Sequence, residues 1–465
     1  MKSQIEREMS QLGGYQIDEF TTETAKRLKS KLENNRFSLL SLTQGTGKTY
    51  IAIKAVSLID PNAHVLIISM AAKIQEKSWE ASIDSFNEVE GTNITYGSMT
   101  FTKMKNPKHQ KTLYDTIAEN GKSSAIIIFD EIQEIRNYKN TRKSIAAANI
   151  DFIKRDKFTN IIGLSATPRP NDPFEMTNYL IMNGTFPNKT QVFNRYVAAY
   201  DDYHQPIYRN ENDVKNKAEL DKYIEDMTLY VESRDKLLPP ITNRYITVKP
   251  HEGKPYPFAG FNDERHPFED IEKRTTEGHY KQALKYYRKG WIESITSLNI
   301  MLMEIIAGCP MRKFALYQLL NEYFETPDAT PVIICYEFNR EKAAIEEVCE
   351  MAGITYQYIN GQEKNQSEPE NKRHAIILQY VAGGTGIELK FAHTMIFYMP
   401  TFKYNYFEQT KGRNVRRGMT ADIQHWYITT EKKRDFYAWQ RVHRKEKDLK
   451  SWLESISEEE LRQYL

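Results

Sequence analysis

Ten short, uninterrupted apolar runs, in two sets of five, constrain this chain more than any other feature. The first set is FSLLSL, HVLIIS, NITY, AIIIF and NIIGL, from Arg36 to Leu164; the second is PVIIC, ITYQYI, HAIILQY, HTMIFYM and IQHWYIT. Runs that stay apolar on consecutive residues suit strands buried on both faces, as in a parallel sheet with helices on either side. Two such sets predict an α/β chain with two lobes.

Between the sets, from Asp172 to Ala329, the text turns to Tyr, Lys, Asp and Glu and contains Pro239 and Pro240. That span is too long for one loop. Leu, Ile and Met recur at helical spacing from His279 to Ile306, which predicts one long helix packed on a core. The expected organisation is a first lobe over 1–180, a largely helical insertion and linker over 181–310, a second lobe over 311–430 and a helical tail over 431–465. In the tail, EKKR, HRKEKDLK and EEEL read as a solvated amphipathic helix whose cations are candidate phosphate contacts. No fixed-period repeat or low-complexity stretch interrupts this plan.

The 64 Lys and Arg against 62 Asp and Glu leave a net charge of +2, so any basic surface is local. With 40% apolar and 27% charged residues the chain can bury a sizeable core. No run approaches the roughly 18 apolar residues of a membrane span, and MKSQIEREMS has no apolar segment behind its charges. Cys309, Cys335 and Cys349 are too few and too scattered for a disulfide framework or a zinc site, and the ten histidines are dispersed. The expectation is a cytoplasmic, reducing location, with no membrane and a monomeric chain.

The chemistry concentrates at strand ends. FSLLSL leads into Thr43, Gln44, Gly45, Thr46, Gly47, Lys48 and Thr49, and the apolar helix YIAIKAV follows. A glycine-rich turn opening a helix aims backbone N–H groups at one point, where phosphates bind. Lys48 would reach the β and γ phosphates of ATP, and the Thr49 hydroxyl would ligate Mg²⁺. Leu42 stands at the first glycine position of G-x-x-x-x-G-K-[ST], and a surface turn is the plain alternative. AIIIFDEIQ then delivers two carboxylates to a strand end: Asp130 to hold Mg²⁺ through water, Glu131 to orient or deprotonate an attacking water. NIIGLSATP ends another strand in Ser165 and Thr167, which as plain hydroxyls would cap a helix. Gln409 to Arg417 place Arg413 and Arg416 three apart on one helical face, a cationic fork suited to a transferring γ-phosphoryl group and otherwise an ordinary basic patch.

In that order these segments resemble the superfamily two helicases and translocases, most closely the Swi/Snf-type DNA translocases in a minimal viral, phage or bacterial form. TQGTGKT is similar to motif I, DEIQ to motif II, SAT to motif III, and QTKGRNVRR to the Q-x-x-x-R-x-x-R of motif VI. LGGYQ puts Gln16 at the adenine-reading glutamine; AAKIQEKSW is similar to motif Ia through Lys73 and Trp79, with Ala72 replacing its proline. LLPPI resembles the interlobe linker, GCPMRKFALYQLL the entry to lobe two, VIICYEF motif IV, and GGTGIEL motif V, with Glu388 where asparagine is common. The likeness spans about residues 12 to 428, and Gln133 stands where the branch usually has histidine.

The resemblance implies two RecA-like lobes in tandem, ATP and Mg²⁺ between them, and cleft closure ratcheted by hydrolysis. Gln16, Gly45, Thr46, Gly47, Lys48, Thr49, Asp130 and Gly386 would hold the nucleotide and its metal. Glu131, Gln409, Arg413 and Arg416 would act in hydrolysis, and Gln133, Ser165 and Thr167 would couple it to movement. Lys73, Tyr96, Gly383 and Gly384 would touch DNA, whether duplex, single-stranded or branched, mainly through phosphates. A recruiting protein is a further expected partner. Two competing readings stand beside this one: an RNA-directed or protein-displacing motor of the same fold, and an ATPase-dead scaffold that binds nucleic acid.

Overall fold

The computed structural model describes residues 18–42, 45–136, 145–154, 157–165, 173–200, 205–208, 210–231, 238–248, 279, 281–363, 365–383, 387–401, 404–415, 419, 421–430, 435 and 438–439. The chain divides into two compact units, 1–234 and 235–465.

The first unit runs α1 (Glu19–Asn34), β1 (Phe37–Ser41), α2 (Lys48–Ile59), β2 (His64–Ser69), α3 (Ala71–Gln75), α4 (Ser78–Glu90), β3 (Thr95–Thr100), α5 (Pro107–Glu119), β4 (Ala125–Asp130), α6 (Ile145–Ile153), β5 (Phe158–Ser165), α7 (Thr177–Met182), α8 (Lys189–Tyr196), α9 (Lys217–Met227) and β6 (Thr228–Tyr230). All six strands are parallel, in the order β3-β2-β4-β5-β1-β6. Consecutive apolar residues on one strand feed opposite cores. Phe37, Leu39, Ile127 and Phe129 join one layer with α5 to α9, whereas Leu40, Ile126, Ile128 and Ile162 join the other with α1, α2 and α4. This double burial is why these strands lack polar alternation. Gly163 on β5 is required by close approach: a Cβ there would lie 2.7 Å from Ile132 Cδ1 and 3.0 Å from the Phe37 ring.

The second unit contains β7 (Ile241–Val248), α10 (Ile295–Ala307), α11 (Pro310–Phe324), β8 (Val332–Tyr336), α12 (Asn339–Met351), β9 (Thr355–Ile359), β10 (His374–Gln379), α13 (Tyr380–Gly383), β11 (Thr394–Phe397), α14 (Tyr404–Lys411) and β12 (Ile423–Thr430). Its parallel sheet has the order β7-β12-β11-β8-β10-β9, again with a hydrophobic layer on each face. Two parallel sheets with helices on both sides are the two-lobed α/β architecture that the apolar runs predict.

Three expectations change in detail. NITY is not itself the strand: β3 runs from Thr95 to Thr100 and is half-buried, because a sheet edge with one open face needs no continuous apolar run. Among the described residues of the stretch between the lobes, those up to 231 pack with the first unit, and β7 adds an edge strand to the second sheet. The long helix over 279–306 is two helices. The first ends at Gly290 (φ 71°), where Trp291 N–H bonds the Tyr286 carbonyl at 2.9 Å and Gly290 N–H the Tyr287 carbonyl at 3.0 Å, a left-handed C-terminal cap. Ser294 then caps α10 by accepting from Ser297 N–H at 3.1 Å.

Of the tail, only Asp435, Ala438 and Trp439 are described, and all three are buried. Asp435 pairs with the fully buried Arg312 of α11 and accepts from Thr430 N–H at 2.9 Å. The three cysteines are buried and form no disulfide. No helix among the described residues is long and apolar enough to cross a membrane.

Candidate nucleotide site

Strand order decides what meets at the edge of the first sheet. β4, β5 and β1 are neighbours, with Asp130 opposite Leu164 and Ser165 opposite Ser41. The turns leaving these three strands therefore open at one place, the carboxyl edge where α/β sheets bind ligands. In the turn after β1, Gly45 (φ 75°) and Gly47 (φ 90°) adopt left-handed backbone that residues with a side chain rarely take. Gly47 caps α2 without a side chain, so the helix N-terminus stays open to an anion. Thr46 is buried, Thr49 is half-buried, and Lys48 Nζ donates to the Leu42 carbonyl at 2.9 Å, holding its cation over the turn.

Asp130 ends β4 fully enclosed. It accepts from Ser69 Oγ at 3.1 Å and Trp79 Nε1 at 3.0 Å, and Lys73 Nζ lies 2.8 Å away. Burial pushes its carboxyl upward, but the Lys73 charge and hydrogen bond, the Trp79 hydrogen bond and the Lys48 charge outweigh burial and hold it below the ordinary carboxylate range. A buried carboxylate kept ionised beside the Lys48 turn suits a divalent cation, so the donor set fits Mg²⁺ with a nucleoside triphosphate. Lys73, assigned by resemblance to nucleic acid, reaches this carboxylate from α3. Ser69 has no place in the motif resemblance, although HVLIIS ends in it and β2 neighbours β4.

Glu131 begins the next turn with φ 60°, a strained backbone for a residue with a side chain, and is 9% exposed. Gln133 Nε2 donates to Glu131 Oε2 at 2.6 Å, and Ser165 Oγ donates to Gln133 Oε1 at 3.0 Å. The glutamine that replaces the usual histidine thus bridges the carboxylate turn to the end of β5. Burial, then the Glu131 charge, raises the pKa of neighbouring Glu134.

In the second unit, Gln409 is half-buried on α14, and Arg413 follows that helix, 6% exposed, with Nη1 donating to the Ile387 carbonyl at 3.3 Å. Leu389 N–H bonds the Arg413 carbonyl at 3.0 Å, so the turn bearing Arg413 is tied to the segment after Gly386. Gly383 ends α13. Tyr96, on β3, donates to Asp84 Oδ2 at 3.3 Å. Gln16, Thr167, Gly384, Gly386 and Arg416 lie outside the described residues.

Residues 11–170 match a protein family described as the type III restriction enzyme, res subunit. No curated protein matches the sequence. Among solved structures, the Sulfolobus solfataricus SWI2/SNF2 ATPase core in complex with dsDNA is similar at 17% identity and a TM-score of 0.38, over 97% of each chain. The family match over residues 11–170 spans the Lys48 turn and the Asp130–Glu131 pair, all within the first of the two parallel-sheet units.

Proposed function

We propose that this protein couples ATP hydrolysis to movement along DNA. The observation that carries the reading is the meeting, at one sheet edge, of the Lys48 turn, the ionised Asp130, and Glu131 held through Gln133 to Ser165. In this reading the N-terminus of α2 and Lys48 bind the β and γ phosphates, while Thr49 and Asp130 hold Mg²⁺. When bound, the metal neutralises charge on the transferring phosphoryl group. Glu131 orients the attacking water and accepts its proton. Gln133 fixes the carboxylate that does this, and its own anchor on Ser165 makes the end of β5 respond when Glu131 moves. Arg413 and Arg416 supply the cations that offset charge on the γ-phosphoryl oxygens. The motif likeness to Swi/Snf-type translocases supports DNA as the track, gripped by its phosphates.

The test is the steady-state ATPase rate without nucleic acid, then with single-stranded, duplex and forked DNA and with RNA, each beside Lys48→Ala. Stimulation by DNA that vanishes in Lys48→Ala is expected. Equal stimulation by RNA would sink the DNA assignment, and a rate indifferent to every nucleic acid would point to a protein substrate. Glu131→Gln should still bind ATP while turnover falls by about 10² to 10⁴. Undiminished hydrolysis in that variant would remove Glu131 from its role.

A further inference from the structure

The helix over 281–288 buries Ala283 and Leu284 and packs Tyr287 on the second unit's core, leaving Lys281, Lys285 and Arg288 exposed. It stops at the Gly290 turn, which lifts Trp291 into solvent at 66% exposure, the most exposed large hydrophobic side chain among the described residues. Tryptophan is a costly residue to leave in water, and most of its surface is ordinarily covered. Here the indole is held in place without being covered: Tyr286 tilts against it with ring centroids 5.1 Å apart, and Lys289 Nζ lies 4.8 Å from the ring centroid. From 281 to 293 the chain carries Lys281, Lys285, Arg288 and Lys289 against the single carboxylate of Glu293.

A flat, pre-ordered aromatic face beside a short row of cations repeats the chemistry of a single nucleic-acid strand, with its bases beside a phosphate backbone. An acidic protein surface would satisfy the lysines but leave the indole without a planar partner, and duplex DNA would present phosphates but no unpaired base. We propose that Trp291 is a stacking platform for an unpaired base of single-stranded nucleic acid, with Lys281, Lys285 and Lys289 holding the adjoining phosphates. The site lies outside every motif that carries the motor reading, and it rests on that reading only in taking nucleic acid as the partner.

The experiment measures binding of the full-length chain to a fluorescent mixed-sequence DNA single strand by anisotropy, beside an abasic strand of equal length, over a range of salt. Trp291→Ala should lose about ten-fold in affinity for the strand with bases and nothing for the abasic one, while Trp291→Phe keeps most of the affinity. Lys285→Gln with Lys289→Gln should weaken both strands and lower the salt slope by about one per lysine removed. An unchanged thermal melt in Trp291→Ala confirms that its fold is intact. Equal affinity of Trp291→Ala and wild type for the strand with bases overturns the proposal, as does an equal loss on the abasic strand. Loss of self-association in Trp291→Ala with unchanged DNA affinity would assign the face to a second copy of this chain instead. If wild type shows DNA-stimulated ATPase and Trp291→Ala binds DNA as wild type does, only the platform fails. If wild type binds no strand at all, the nucleic-acid reading fails with it.

Discussion

Two buried carboxyl groups, one in each unit, show how neighbours rather than residue type set a charge. Asp130 stays ionised because Lys73, Trp79 and Lys48 offset its burial. Glu341, 1% exposed in the first turn of α12, accepts from Glu337 N–H at 2.6 Å, yet burial pushes its carboxyl up to about 8. Its folded pKa lies above its ordinary value of 4.5, so the native state binds the extra proton. That stability is fully present below about pH 4.5 and is lost as pH rises through about 8, with a slope of up to ~1.4 kcal/mol per pH unit. Urea denaturation of the full chain between pH 5 and 8.5 should show this decline, and Glu341→Gln should flatten it while keeping an acceptor for Glu337 N–H. A variant whose stability falls with pH as steeply as wild type would place the titration elsewhere.

At the scale of elements, the bridge from Glu131 through Gln133 to Ser165 ties the turn after β4 to the end of β5. A hydrogen bond to a charged carboxylate is worth about 1.5–3 kcal/mol, and its loss should lower turnover by about ten- to a hundred-fold in Gln133→Ala. Ser165→Ala acts on the same link from its far end, so the double variant should lose little beyond Gln133→Ala alone. Turnover and nucleotide affinity measured across the four proteins of this cycle check it, and additive losses would mean that the two residues act separately. The motif resemblance marks Gln133, Ser165 and Thr167 as coupling residues, with Thr167 outside the described residues, but does not show that the first two are bonded. Their bond depends on β4 and β5 being neighbours, which no local pattern specifies. The break at Gly290 was missed for a related reason: the apolar period continues across it, and only the left-handed glycine turn separates the two helices.

Over the whole molecule, each unit carries its own parallel sheet with a hydrophobic layer on both faces. Residues 1–234, produced alone, should therefore melt cooperatively and bind a fluorescent nucleotide through the Lys48 turn. If Arg413 and Arg416 act as proposed, this half should not turn ATP over. Calorimetry and a nucleotide titration of this half, beside the full chain, make the check. Hydrolysis by the first half at the full rate would remove the arginines from the chemistry.

The sequence by itself determined the class of fold and which polar residues stand at the strand ends, because both are written locally. Continuous apolar runs specify strands buried on two faces, and a glycine-rich turn before a helix leaves backbone N–H groups open at the helix start. Tertiary structure alone decided which charges meet. Lys73 and Ser69 reach Asp130 because β2 lies beside β4, and Asp435 of the tail meets Arg312 inside the second unit. Edge strands such as β7, ITNRYITV, also escaped the pattern, since a strand with an open face needs no apolar run to mark it. Buried ion pairs and sheet edges are properties of neighbours distant in the chain, and hydrophobic periodicity carries no record of those neighbours.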